Sequence, residues 1–258
     1  MATLQTNAFK QAILSGKPQI GLWISLCSNF AAEAVASAGF DWALLDMEHS
    51  PNEISVVLSQ LQAFDSSSTT AIARPMWNDP VVVKRLLDIG SPGLLFPMVQ
   101  NPDEARAAVA ASRYPPKGIR GVGTTHRANK FGRVTDYFDR VEEETCVLVQ
   151  VETRHALDQV EAIAAVDGVD GVFFGPSDIA ADFGKLGQAG DPEVWAAIDQ
   201  AAKKVMGLGK AVGTLVTSAE KGAELLNQGF SFVACGSDLG LLARGADALL
   251  ANVRNGLK

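Results

Sequence analysis

Histidine and cysteine are scarce, with three of each in 258 residues. No His–x–His pair and no CxxC pair occurs, which removes the usual zinc sites and dithiol redox centres. Cys27, Cys146 and Cys235 are odd in number and fall in apolar runs, so they read as reduced core cysteines. A basic block is also missing. The 22 Lys and Arg are outnumbered by 29 Asp and Glu, for a net charge of −7. That balance excludes nucleic acid and anionic membrane as expected partners. No apolar stretch reaches the roughly 18 residues of a membrane span. The opening MATLQTNAFKQAILSG lacks the basic and then apolar order of a signal peptide. It reads instead as a short amphipathic helix ending at Gly16. No GxGxxG follows the first apolar run, and the glycine-rich GIRGVG (118–123) lacks the GK[ST] ending of a P-loop, which weakens both nucleotide-binding readings. A cytoplasmic protein of enzyme size is the expectation that remains.

What is present is a regular alternation. Eight short apolar runs recur: QIGLWIS (19–25), WALLDMEH (42–49), TAIARPM (70–76), GLLFPMV (93–99), CVLVQVE (146–152), GVFFGPS (171–177), AVGTLVT (211–217) and FVACGSD (232–238). Runs apolar at nearly every position suit parallel strands covered on both faces. The segments between them carry helix signals. AAEAVASAG stops at Gly39. PVVVKRLLDIG starts on Pro80 and stops at Gly90. Asn101-Pro102 and Asp191-Pro192 each open a helix, and Ser218 opens SAEKGAELLNQG. Eight strands alternating with helices in about 250 residues predict a closed (β/α)8 TIM barrel as a single domain over 1–258. One connection, 117–145, is long enough to suggest function. Its GIRGVG stretch reads as a mobile loop near the barrel rim. The mean hydropathy of +0.12 is slightly high for a monomer and hints at buried subunit interfaces.

Reactive residues of such barrels lie at the C-terminal ends of the strands. There this chain has Asp46, Glu48 and His49 after the second run, Arg74 in the third, Gln150 and Glu152 in the fifth, Ser177 and Asp178 after the sixth, and Asp238 after the eighth. Glu152 and Asp178 belong to neighbouring strands, about 4.8 Å apart. Two carboxylates so close either share a proton or hold a cation between them. With only oxygen donors the cation would be Mg²⁺ or Mn²⁺. Asp178 could equally cap a helix beginning at Ile179. His49 at a strand end suits proton transfer near neutrality. Arg74 at a barrel mouth faces either a fixed carboxylate or an anionic substrate. Gly175-Pro176-Ser177 offers close backbone approach at the start of a helix.

Taken in order, GLWISL, FDWALLDMEHSPN, ARPMWNDP, KRLLDIG, MVQNPDEAR, RYPPKGIRGVG, VQVET and GVFFGPSDIAADFG resemble the metal-dependent (class II) pyruvate aldolases of the HpcH/HpaI family. The resemblance runs from about residue 8 to residue 250. It implies a homohexamer with an exchanged helix, for which DLGLLARGADALLANVRNGL (238–257) is the candidate. It implies a divalent ion (Mg²⁺ or Mn²⁺, with Co²⁺ a third candidate) held by Glu152 and Asp178. Arg74 would stabilise an enolate and position the keto acid. His49, oriented by Asp46, would be the acid–base group. Gln150 and the backbone around Gly175, Ser177 and Asp178 would bind the substrate carboxylate. Asp88 matches a further active-site carboxylate, although its place at a helix C-terminus lets it reach a site only across a subunit interface. Met47 stands where the family pattern has glycine, and is expected to crowd the site slightly.

The reaction the resemblance implies is reversible cleavage of a 4-hydroxy-2-oxo acid to pyruvate and an aldehyde. No apolar run contains a lysine, which speaks against a Schiff-base aldolase. Two rivals stand beside this reading: a CoA-thioester lyase of the citramalyl or malyl type, which needs a basic nucleotide pocket, and a non-catalytic anion-binding scaffold. Choice of aldehyde is assigned to the long connection, with Arg120 and His126 as candidates, and to a neighbouring subunit.

Overall fold

The computed structural model describes residues 2–257. Its eight strands are β1 (Gln19–Ile24), β2 (Trp42–Asp46), β3 (Thr70–Arg74), β4 (Gly93–Phe96), β5 (Cys146–Val151), β6 (Gly171–Phe174), β7 (Ala211–Val216) and β8 (Phe232–Ser237). Each pairs in parallel with the next, and β8 returns to β1, closing a (β/α)8 barrel. Every strand falls inside its apolar run and ends one to three residues before it. The leftover polar residues therefore lie just beyond the strands, on the loops at the barrel mouth.

Strand parity divides the core in two. Trp23, Trp42, Leu44, Ile72, Leu95, Leu148, Phe173 and Phe232 fill the barrel interior. Leu22, Ala43, Leu45, Ala73, Val149 and Val172 face the surrounding helices. The N-terminal helix Ala8–Leu14 seals the barrel at the N-terminal ends of the strands. Phe9 stacks on Trp42 with ring centroids 5.4 Å apart and meets Phe232 edge-on at 5.9 Å. Lys10 anchors the plug through Asp170 at 3.1 Å and the Thr145 carbonyl at 2.8 Å.

The helix-start signals act as expected. Asp79 caps Pro80–Asp88, Asn101 caps Pro102–Ser112, Asp191 caps Pro192–Gly207 and Ser218 caps Ala219–Asn227. The long connection differs from its expectation. It holds a 3₁₀ turn at Arg127–Asn129 and a helix at Tyr137–Glu144, and it lies at the sealed end of the barrel. GIRGVG is no mobile rim loop: Ile119 donates to the Ala110 carbonyl at 2.8 Å and Arg120 to the Arg113 carbonyl at 2.9 Å. These bonds fold the stretch back onto the helix before it.

The last helix, Asp238–Gly256, is 19 residues long, and Asp238 is its one buried residue. Leu242, Leu249 and Leu250 are 50–68% exposed. Among the described residues, no helix is long and apolar enough to cross a membrane.

Candidate active site

Interior parity carries Asp46, Arg74, Gln150 and Glu152 to the mouth. Asp46 and Arg74 are direct register partners on β2 and β3. The Asp46 carboxylate accepts from Arg74 Nε at 2.9 Å and Nη2 at 2.8 Å, a bidentate pair that is almost fully buried. Trp23 Nε1 adds a third bond to Asp46 at 3.3 Å, and the Trp23 ring lies 5.0 Å from the guanidinium. Burial raises the Asp46 carboxyl, but the Arg74 hydrogen bonds and charge outweigh it and hold the group below its ordinary value. Glu48 Oε2 stands 2.8 Å from Arg74 Nη1. Arg74 is thus fixed on two sides by carboxylates.

Asp46 was expected to orient His49, and the structure corrects this. Its carboxylate receives the backbone N–H of Glu48 at 3.0 Å and of His49 at 3.5 Å, while its charge is committed to Arg74. The His49 side chain is exposed at the mouth, near enough for its charge to favour ionised Glu48. Met47 is a second correction. It has the outward parity of Ala43 and Leu45 and joins the barrel–helix core, so it does not crowd the site.

Glu152 follows β5 directly and is 1% exposed. Its Oε1 accepts from Gln150 Nε2 and its Oε2 from the Met98 backbone N–H at 2.9 Å. Met98 has φ +53°, in the left-handed region, and that turn points its N–H inward. Burial pushes the Glu152 carboxyl up to about 7, and the charges of Asp178 and Glu48 push the same way. Asp178 lies in the first turn of helix Pro176–Asp182, which has no side-chain cap, and both Ser177 and Asp178 are exposed. Glu48 is raised chiefly by burial and additionally by Asp46 and Asp178. Three acids therefore share one region, and the Oε1 of Gln150 is buried there without a partner. Nothing in the sequence beside His49 signals a role for Glu48; its pairing with Arg74 and the Asp178 charge acting on it bring it into the cluster. Among the described residues, no three His, Cys, Asp or Glu side chains form a ready-made metal cage.

Three other candidates lie elsewhere. Asp88 ends helix Pro80–Asp88 at the sealed face, bound to Arg120 at 2.7 Å. The Arg120 side chain is fully buried, bonded also to the Tyr137 hydroxyl at 3.1 Å and stacked on Tyr114 at 4.4 Å. His126 caps the 3₁₀ turn through Asn129. Within one protomer neither Arg120 nor His126 reaches the mouth. Cys27 also departs from its expected core position. It is half-buried beyond the end of β1 with φ +53°, and its thiol is raised by burial and by Asp238 and Asp46.

Residues 19–245 match the HpcH/HpaI aldolase/citrate lyase family. The chain belongs to that family. It is 53% identical over 246 residues to the 4-hydroxy-2-oxo-heptane-1,7-dioate aldolase of Klebsiella pneumoniae, covering 95% of this chain and 93% of the relative. Identity to the pyruvate aldolase of Rhizobium etli is also 53%, over 248 residues, covering 96% and 98%. Among solved structures, an HpcH/HpaI aldolase/citrate lyase family protein from Burkholderia cenocepacia superposes with a TM-score of 0.93 at 38% identity, covering 96% of this chain and all of that one. The family expectation is met, and the HpcH/HpaI barrel is an enzyme scaffold.

One feature of this HpcH/HpaI barrel bears on substrate class. Many (β/α)8 enzymes hold a phosphate beside the ends of strands seven and eight, at a helix N-terminus. Here Asp238 fills that place. Its carboxylate accepts the N–H groups of Ser25 at 2.8 Å, Leu26 at 3.2 Å and Leu239 at 2.7 Å. A buried carboxylate on those donors repels a phosphate.

Proposed function

We propose that the chain catalyses reversible aldol cleavage of 4-hydroxy-2-oxo acids to pyruvate and an aldehyde. The observation that carries the reading is the buried Glu152 carboxyl, within reach of the Asp178 and Glu48 charges, with Glu48 in turn paired to an arginine that Asp46 holds from the other side. A buried acid cluster with oxygen donors only, and a free buried Gln150 oxygen, fits a hard divalent cation. Glu152 and Asp178 would hold it, as Mg²⁺ or Mn²⁺, with Co²⁺ as a third candidate. When bound, such an ion acts as a Lewis acid toward the oxygens of the keto acid.

The other roles fall to side chains of this chain. Arg74 has five N–H donors; Asp46 takes two, and Glu48 pairs with the guanidinium by charge without a hydrogen bond. Donors not taken by Asp46 are left for the oxygen that gains charge as the C3–C4 bond breaks. The two acids hold the guanidinium still, so it need not reorganise during the reaction. His49, exposed at the mouth, takes the C4 hydroxyl proton and returns a proton to C3 of the enolate, which leaves as pyruvate. Gln150 and the uncapped N–H groups at Ser177 and Asp178, made approachable by Gly175, bind the substrate carboxylate. Asp88, held by Arg120 at the far face, contributes to catalysis only if a neighbouring protomer brings it to a mouth. The exposed leucines of helix 238–256 support a homo-oligomer, proposed as a hexamer. Three unpaired cysteines suit the cytoplasm.

The CoA-lyase reading needs a basic nucleotide pocket, whereas the charged groups gathered at the mouth are chiefly acids. The test is pyruvate release from 4-hydroxy-2-oxoheptane-1,7-dioate, followed through lactate dehydrogenase. Loss with EDTA and recovery with Mg²⁺ or Mn²⁺ is expected. Turnover untouched by thorough chelation refutes the cation, and no pyruvate from any 4-hydroxy-2-oxo acid refutes the aldolase.

A further inference from the structure

Gly175 follows β6 directly and caps the next helix with φ −95° and ψ 92°, a backbone any residue adopts. Its requirement for glycine is therefore one of space. A Cβ built there would stand 2.6 Å from Glu152 Oε1, 3.0 Å from its Cγ and 3.2 Å from its Cδ. On its other sides the same carboxyl is held by Gln150 Nε2 and the Met98 N–H. It is almost wholly buried, so it has nowhere to retreat without giving up one of those bonds.

We infer that Gly175 is a positioning residue, whose missing side chain is the seat of the Glu152 carboxylate and so fixes where that carboxylate meets its cation. Glycine here acts through its neighbour: the Glu152 carboxyl occupies the volume a side chain at 175 would fill. The inference rests on the divalent-cation reading for its consequence, but not for its geometry.

Coupling between the two positions separates this role from a general need for glycine in the fold. Glu152→Asp draws the carboxylate back by one C–C bond, about 1.5 Å, and vacates the seat. The full-length protein is compared with Gly175→Ala, Glu152→Asp and the double variant. Two quantities are read: Mn²⁺ affinity by titration calorimetry after chelation, and Tm of the metal-free protein. Gly175→Ala alone is expected to weaken Mn²⁺ by about tenfold or more and to lower Tm. Introduced into the Glu152→Asp background, it should change both far less. An equal loss in both backgrounds overturns the inference, as does wild-type Mn²⁺ affinity in Gly175→Ala. Should Gly175→Ala fail to fold, recovery of soluble protein by the added Glu152→Asp supports the seat, and failure of both overturns it. If the wild type binds no Mn²⁺, the cation reading fails, and the Tm comparison alone decides the seat.

Discussion

Replacing Glu152 by glutamine should stabilise the metal-free protein at alkaline pH and leave it nearly unchanged in acid. The carboxyl sits at about 7 in the fold against an ordinary value of 4.5. Its pKa is raised on folding, so the folded state binds the proton more tightly than the unfolded chain. The stability this brings is complete below about 4.5 and is lost as pH rises through about 7. A gap of about 2.5 at 1.36 kcal/mol each comes to about 3 kcal/mol. Glutamine removes the titration while keeping the shape. Its amide oxygen can still accept from the Met98 N–H. Its NH₂ then faces Gln150, which can turn to present the Oε1 that is buried and unpartnered in the native site. The assay is urea unfolding at pH 5 and pH 8 in EDTA, at one protomer concentration, because assembly shifts apparent stability. Wild type should lose about 2.5 kcal/mol more than Glu152→Gln between the two pH values, because at pH 5 the unfolded carboxyl is already mostly ionised. Saturating Mn²⁺ should abolish that difference in the wild type and do nothing for the variant. Parallel pH profiles for the two proteins would refute the argument.

Arg74→Lys keeps the charge but cannot hold Asp46 with two parallel bonds. It should lower kcat by about 10²-fold or more with KM little changed, measured by steady-state pyruvate release. Asp46→Asn leaves Arg74 paired only with Glu48, and should cost about 2–4 kcal/mol in urea unfolding while His49-dependent steps keep their pH profile. On the last helix, Leu242→Glu combined with Leu249→Glu should yield a smaller species in light scattering, with the barrel's circular dichroism intact. An unchanged mass would show that this face does not join protomers.

The barrel was legible because burial on both faces writes continuous apolar runs, and caps such as Asn101, Asp191 and Ser218 mark the helices between them. The position of Glu152 was legible for the same reason: a carboxylate at the end of CVLVQV has no place but the mouth. The partners of each charge were not. Asp46 lies three residues from His49 in sequence but pairs with Arg74 across the sheet, because β2 and β3 run in register. The role of Met98 depends on a left-handed backbone that no residue type announces. The placement of Arg120 and His126 failed for a different reason. Length alone identified the 117–145 connection as special, but which end of the barrel it covers is set by its bonds to helix Pro102–Ser112 and to Asp88. Strand parity, continued one residue past β2, turns Met47 away from the site.

The mouth also has a charge balance that limits what it can bind. Asp46, Glu48, Glu152 and Asp178 set four carboxylates against the single guanidinium of Arg74, a formal −3 when all are ionised. His49 offsets one charge only when protonated. An anionic keto acid entering such a site meets repulsion at short range, where the low dielectric of the barrel screens it poorly. Protonation of Glu152 relieves only part of this, and only below about 7. On the proposed reading, a dication between Glu152 and Asp178 would remove two charges at once and supply the attraction an oxyacid needs. The Arg74 pairings then make sense as the complement of that ion. Asp46 and Glu48 hold the guanidinium between them, so on the proposed reading Glu152 and Asp178 would be the oxygen donors left for the ion.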